Sequence, residues 1–253
     1  MESKSSMVEI THVVSRDINN LLSRPFVVIS RTMGFLVQFF IFGYTVSTLV
    51  SGFNFYQYYG IGTVITTVCS VSYLIGHDLF DEAERGVLDY LLSLPISRRS
   101  LIVGRALGGA ARSMAYGTPM FVIAVFVLGF RSPLEIAESL LALFALAFGI
   151  SGLSITVAIA IRNEERFDIL LAFIELLTVR FSTALYPWRA MPYYVSAVSS
   201  LSPVTSAAEI IQSSLFNSMT DLTGWGSLLA FVFAFFALSS AFYYKRIEGG
   251  RYK

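Results

Sequence analysis

The residues able to do chemistry in this chain are few, and most sit apart from one another. Ser151 stands among small residues in Gly149-Ile150-Ser151-Gly152. A serine becomes a nucleophile only beside a base, and no histidine follows this one. Glycine and serine so placed serve close helix packing instead. The histidines are His12 and His77. His77 neighbours Asp78 and is expected to hydrogen-bond at an interface, since a metal site would need further ligands. Cys69, the lone cysteine, lies in an apolar stretch and reads as a packing residue with no disulfide framework. Glu175 and Arg180 interrupt an apolar run. An ionised side chain at mid-membrane costs about 2.5–3.5 kcal/mol on insertion scales, so each should face a partner or water. That means an ion pair, a contact between subunits, or the lining of a cargo path.

The densest chemistry lies in an island between apolar stretches, from Asp81, Glu82, Glu84 and Arg85 through Gly86 to Asp89, and on to Arg98 and Arg99. Val87, Leu88, Leu91, Leu92 and Leu94 form an apolar face at helical spacing. The acidic groups crowd the first turns, where the helix dipole favours them. Pro95 ends that helix, Ser97 is placed to cap the next, and Arg98-Arg99 reach the membrane surface. A short amphipathic helix over 81–94 can lie along the inner face and present its charges to something in the cytoplasm.

These residues are positioned by apolar helices. A hydrophobic share of 55 %, with 14 % charged, is more than one soluble core of 253 residues uses. A span needs about 20 apolar residues. Six expected spans cover 26–50, 55–75, 101–130, 136–161, 167–186 and 225–244, giving an all-helical membrane protein of one domain, 1–253. Residues 7–24 are too short and polar to cross. They carry a stripe of Ile10, Val14, Ile18, Leu21 and Leu22, with Arg16, Asp17, Asn19 and Asn20 off it, which fits a helix lying in the interface. Residues 187–224, rich in Pro, Ser and Tyr, hold short helical patches near 189–199 and 204–216 and read as a re-entrant segment before the last span.

Lys and Arg concentrate in the N-terminal segment, the 81–99 island, the 162–166 link and the tail, so both termini and the island are expected in the cytoplasm and 187–224 outside. Glu164, Glu165, Asp168, Arg162 and Arg166 then form a solvated loop face or a further cytoplasmic contact. Phe53, Phe55, Tyr56, Tyr58 and Tyr59 form an outer aromatic belt, or a stacking platform for a ring-bearing cargo. Tyr186, Trp188, Tyr193 and Tyr194 touch cargo at the exit or anchor the outer segment. No strongly basic patch with interleaved aromatics appears, which argues against nucleic acid.

The island resembles the first cytoplasmic loop of ABC-2 type transporter permeases, whose pattern is close to E-R-E-x-G-T-L-E-x-L-L-S-x-P-[VI]-S-R; here Val87 and Asp89 stand for Thr and Glu. Leu201-Ser202-Pro203-Val204-Thr205 is similar to the family's N-P-[LV]-T segment, with Ser202 replacing Asn, and Leu22-Ser23-Arg24-Pro25 to its entry before the first span. The resemblance implies a six-span half of a pore in the plasma membrane of a prokaryote, paired with a second permease subunit as a homodimer. It implies that each loop docks on a separate ABC ATPase, with two ATPase copies and with ATP and Mg bound there. The loop contacts would be Asp81, Glu82, Glu84, Arg85, Gly86, Leu88, Asp89, Leu91, Leu92, Pro95, Arg98 and Arg99. The path would involve Glu175, Arg180, Tyr186, Tyr193 and Tyr194, and export is the expected direction. No G-x-x-x-x-G-K-[ST] occurs and the only lysines are Lys4, Lys245 and Lys253, so this chain is expected to bind no cofactor and to be no enzyme. The alternative is a carrier driven by a proton or ion gradient through Glu175, although such carriers commonly show repeats and several intramembrane acids. The G-x-S-G form is also similar to that of rhomboid proteases, but their order of elements is not kept and the base is missing.

Overall fold

The computed structural model describes residues 11–19, 25–50, 53–87, 90, 98–129, 132–161, 163–217 and 221–248. Among these residues all regular structure is helical. Residues 11–19 form α1. Pro25–Val37 is α2, which passes through a π-helical turn, Gln38–Gly43, into α3, Tyr44–Ser47. Then follow α4 (Phe55–Glu84), α5 (Arg98–Leu128), α6 (Pro133–Ala160) and α7 (Glu164–Glu175), the last continued by a π-helical turn, Leu176–Arg180. A 3-10 turn at Trp188–Ala190 precedes α8 (Tyr193–Ser199), α9 (Pro203–Asn217) and α10 (Leu222–Glu248).

Helix starts follow local polar chemistry. Asn54 accepts a bond from the Gln57 amide at the head of α4, and Asn163 one from the Arg166 amide at the head of α7. Ser132 caps α6, with Pro133 at its first position, where a missing N–H is harmless. Four stretches among the described residues are long and apolar enough to cross a membrane: Val28–Ser47, Phe55–Glu84, Ser100–Leu128 and Pro133–Ala160. Leu222–Leu238 is a shorter apolar helix.

The expected span over 167–186 differs most, because regular helix stops at Arg180. The reason is local capture of the backbone. Ser202 Oγ donates to the Thr178 carbonyl at 2.6 Å, the Thr183 amide donates to Thr205 Oγ1 at 3.1 Å, and the Tyr58 hydroxyl donates to the Thr183 carbonyl. Groups that would have continued the ladder are taken by α4 and by the residues opening α9. The approach to α4 needs a glycine: a Cβ on Gly62 would lie 1.8 Å from the Ala184 carbonyl oxygen.

At the centre α4 and α6 pack together, with α5 against both and α9 and α10 closing the other side of α6. A Cβ on Gly76 would meet Ser154 Oγ at 2.1 Å, and that hydroxyl donates to the Tyr73 carbonyl at 2.6 Å. Ser151 is fully buried against Gly109 of α5, so the Gly/Ser cluster of α6 is a packing surface. α9 is buried too; Val204, Ala207, Ala208, Ile210 and Ile211 are closed off from solvent.

Candidate functional site

The island is rooted in α4 and α5, and its roots are clasped by charge. α4 does not end near residue 75, as the sequence pattern predicts, but continues helical to Glu84. Glu82 therefore turns back toward the bundle. Its carboxylate pairs with Arg105 of α5 and accepts from Arg16 Nη2 of α1 at 3.0 Å. Arg105 also meets Asp17 of α1 at 3.5 Å, and Arg16 lies 3.6 Å from Asp17. One helical stretch up from the loop, Arg112 pairs with Asp78 at 2.5 Å. Three cations and three anions, drawn from α1, α4 and α5, thus meet at the point where the loop leaves and re-enters the bundle.

One polar residue of α1, Asp17, is correspondingly turned away from water. Val13 and Asp17, four residues apart, are the buried pair, and they seat on Gly104 and Gly108 of α5. A Cβ on Gly104 would lie 2.9 Å from Val13, and one on Gly108 would lie 2.3 Å from Asp17 Oδ2. Burial pushes the Asp17 carboxyl up from its ordinary 3.8, against the pull of Arg105, Arg16 and Arg112.

Of the predicted loop contacts, Asp81, Glu84, Arg85 and Gly86 are exposed, and Arg85 pairs with Asp81 within a turn at 3.7 Å. Gly86 holds φ +72°, where a side chain would be strained, and lies just past the end of α4, so Asp81, Glu82 and Glu84 belong to α4 and not to a separate helix over 81–94. Leu88, Asp89, Leu91, Leu92 and Pro95 lie outside the described residues. Arg98 and Arg99 open α5.

A second polar locus lies on the seam between α4 and α7. Glu175 Oε1 accepts from Ser70 Oγ at 2.7 Å. Beside it the Tyr73 hydroxyl meets Thr178 Oγ1 at 2.7 Å, and Thr178 also bonds the Ile174 carbonyl. Glu175 is not brought to Arg180, which is exposed at the end of the π turn. Nearer the loop end, His77 sits 3.4 Å from Asp168, with its ring edge on Phe167. Among the described residues no group of three or more His, Cys, Asp or Glu side chains is placed to hold a metal.

At the other end of the bundle the stretch from Trp188 to Trp225 is stitched down by indoles and carboxylates. Trp188 Nε1 donates to Glu209 at 2.7 Å, while Trp225 Nε1 and Ser214 Oγ both donate to Glu138 of α6. Burial pushes the Glu209 carboxyl above its usual range, the Trp188 bond opposing it, whereas the Thr223 hydroxyl holds Asp221 down. Tyr186, Tyr193 and Tyr194 are exposed, Tyr193 to 89 %.

Comparison with known proteins gives this arrangement its context. The family model for ABC-2 type transporters matches residues 8–216. The chain belongs to the ABC-2 type transporter family. A relative, "Putative transport permease ycf38" of Cyanophora paradoxa, is 27 % identical over 214 residues, which is 81 % of this chain and 73 % of that one. The ABC-2 match takes in the clasp, the α4–α7 seam and α9, and leaves α10 beyond it. Sequence reasoning missed the clasp. The usable signal was Gly104-x-x-x-Gly108 with Arg105 between, a small-residue groove carrying a charge, in a chain whose N-terminal helix offers an acid.

Proposed function

We propose that this ABC-2 permease is the membrane half of an ATP-driven exporter in the cell membrane, working as a homodimer with two copies of a separate ABC ATPase. ATP and Mg bind on the ATPase, and the 81–99 loop, in the cytoplasm with both termini, is the docking handle. What carries this reading is the clasp at the loop roots. Arg105 bridges Glu82 of α4 and Asp17 of α1, so a push on the loop moves α1, α4 and α5 as one body. A docked loop without such a joint would bend at its roots and transmit nothing. Among the described residues of the loop, the charged side chains Asp81, Glu84 and Arg85 are exposed and available to the ATPase.

The cargo path runs along the α4–α7 seam past Glu175 and Arg180 toward Tyr186, Tyr193 and Tyr194. Glu175 is at the right depth for this. Its partner Ser70 lies midway along α4, a helix of 30 residues spanning Phe55–Glu84.

The test is isolation of the tagged chain from its own cells. An ABC ATPase, identified by its peptides, should co-elute and hydrolyse ATP, and deletion of residues 87–95 should strip it away. A preparation that transports on an ion gradient with no ATPase present would overturn this reading in favour of a gradient-coupled carrier acting through Glu175.

A further inference from the structure

We infer that Glu175 is a recognition site for positively charged cargo, so that the substrate class is an organic cation; this rests on the cargo path proposed above. Ser70 fixes the depth of the carboxylate, because α4 is long and apolar enough to cross a membrane and Ser70 sits at its middle. Glu175 is half-buried, open on one side. Among the described residues its carboxylate forms no ion pair, and the neutral Ser70 hydroxyl is its hydrogen-bond donor. Cys69 and Tyr73, near Ser70 on the same helix, supply no cation. An anion at that depth with no counter-charge is costly, and the cost is lifted when a cation arrives.

The neighbouring hydroxyls are engaged within the protein. Thr66 and Thr67 turn their hydroxyls back to the Thr63 carbonyl on their own helix, and Thr178 turns its hydroxyl to Ile174 and Tyr73. With these hydroxyls engaged, the Glu175 carboxylate is the strong acceptor among the described residues of this seam. α7 passes into its π turn just after Glu175, and this break in helical register is of the kind often found at functional sites.

The experiment uses the full chain in lipid nanodiscs and two isosteric probes, tetraphenylphosphonium and tetraphenylborate, which differ in the sign of their charge. Wild type should bind tetraphenylphosphonium saturably, with Glu175→Asp close to wild type and Glu175→Gln weaker by about ten-fold or more. Ser70→Ala should weaken it less. Tetraphenylborate should partition without saturation and equally in wild type and Glu175→Gln. Each variant is checked for wild-type elution and melting first, and Glu175→Gln keeps the Ser70 bond, so loss of fold is separable from loss of charge. Unchanged tetraphenylphosphonium binding in Glu175→Gln, absence of saturable binding in wild type, or saturable borate binding lost in that variant would each overturn the inference. None of these outcomes touches the proposed ATPase partnership, which the co-isolation above tests alone.

Discussion

Arg105 has 4 % of its side chain exposed and touches carboxylates from two other helices. Without Arg105, Glu82 and Asp17 share Arg16 alone and one negative charge is left uncompensated; breaking a buried pair in this way typically costs about 3–5 kcal/mol. Arg105→Ala should therefore lower the melting temperature of the purified chain sharply, and Arg105→Met combined with Glu82→Gln should recover part of the loss by removing a stranded charge. Equal melting of Arg105→Ala and wild type would show that the clasp bears no load. Asp17 adds a pH signature. Its folded carboxyl is raised above 3.8, so the folded state holds its proton more tightly than the unfolded state does. Its contribution is then fully present below 3.8 and is lost as pH rises through the folded value. Melting curves of wild type and Asp17→Asn, taken at a series of pH values, should diverge over that window. Parallel curves would show that the pull of the arginines cancels the effect of burial.

The element that seats the clasp is α1, and its seat is glycine. At Gly108 a methyl group would lie 2.3 Å from Asp17 Oδ2, whereas at Gly226 of α10 nothing lies within 4 Å. Gly108→Ala should thus loosen α1 and lower the melting temperature. Gly226→Ala should be neutral or slightly stabilising, since alanine is the better helix former by about 1 kcal/mol. If both variants melt alike, α1 does not dock on α5. Much at this scale was legible in the sequence. The apolar runs located the long helices, Pro133 marked the start of α6, and Ser202-Pro203-Val204-Thr205 marked the start of a helix whose hydroxyls hold the broken end of α7. Three things were not legible, each for a physical reason. α4 overran its apolar stretch because Asp78 and Glu82 found cations in the fold. α1 turned Val13 and Asp17 inward because a groove on α5 outweighed the hydrophobic stripe. The clasp joins Arg16 to Glu82 across 66 residues, a separation that no local periodicity can report.

At the scale of the whole molecule, the outward-facing surfaces are of two kinds. Phe126 is 88 % exposed, and Phe26, Val122 and Phe233 are exposed as well. Such side chains suit acyl chains. Thr66, Thr67 and Ser70 on α4 are only half-covered and lie beside Glu175, a surface that lipid would solvate poorly. In a homodimer that surface belongs on the inside, where water and cargo pass. The chain is well made for testing this, because its one thiol, Cys69, is buried and silent. Thr67→Cys is a mild change, since the hydroxyl it removes bonds only to the Thr63 carbonyl of its own helix. In native membranes a charged, water-soluble methanethiosulfonate should modify Thr67→Cys and leave Phe126→Cys untouched, because a thiol immersed in hydrocarbon neither ionises nor meets the reagent. A cationic cargo analogue should slow the reaction at residue 67. Were the reactivities reversed, the α4 stripe would face lipid, and both the path and the placing of the second copy would have to move to another side of the bundle.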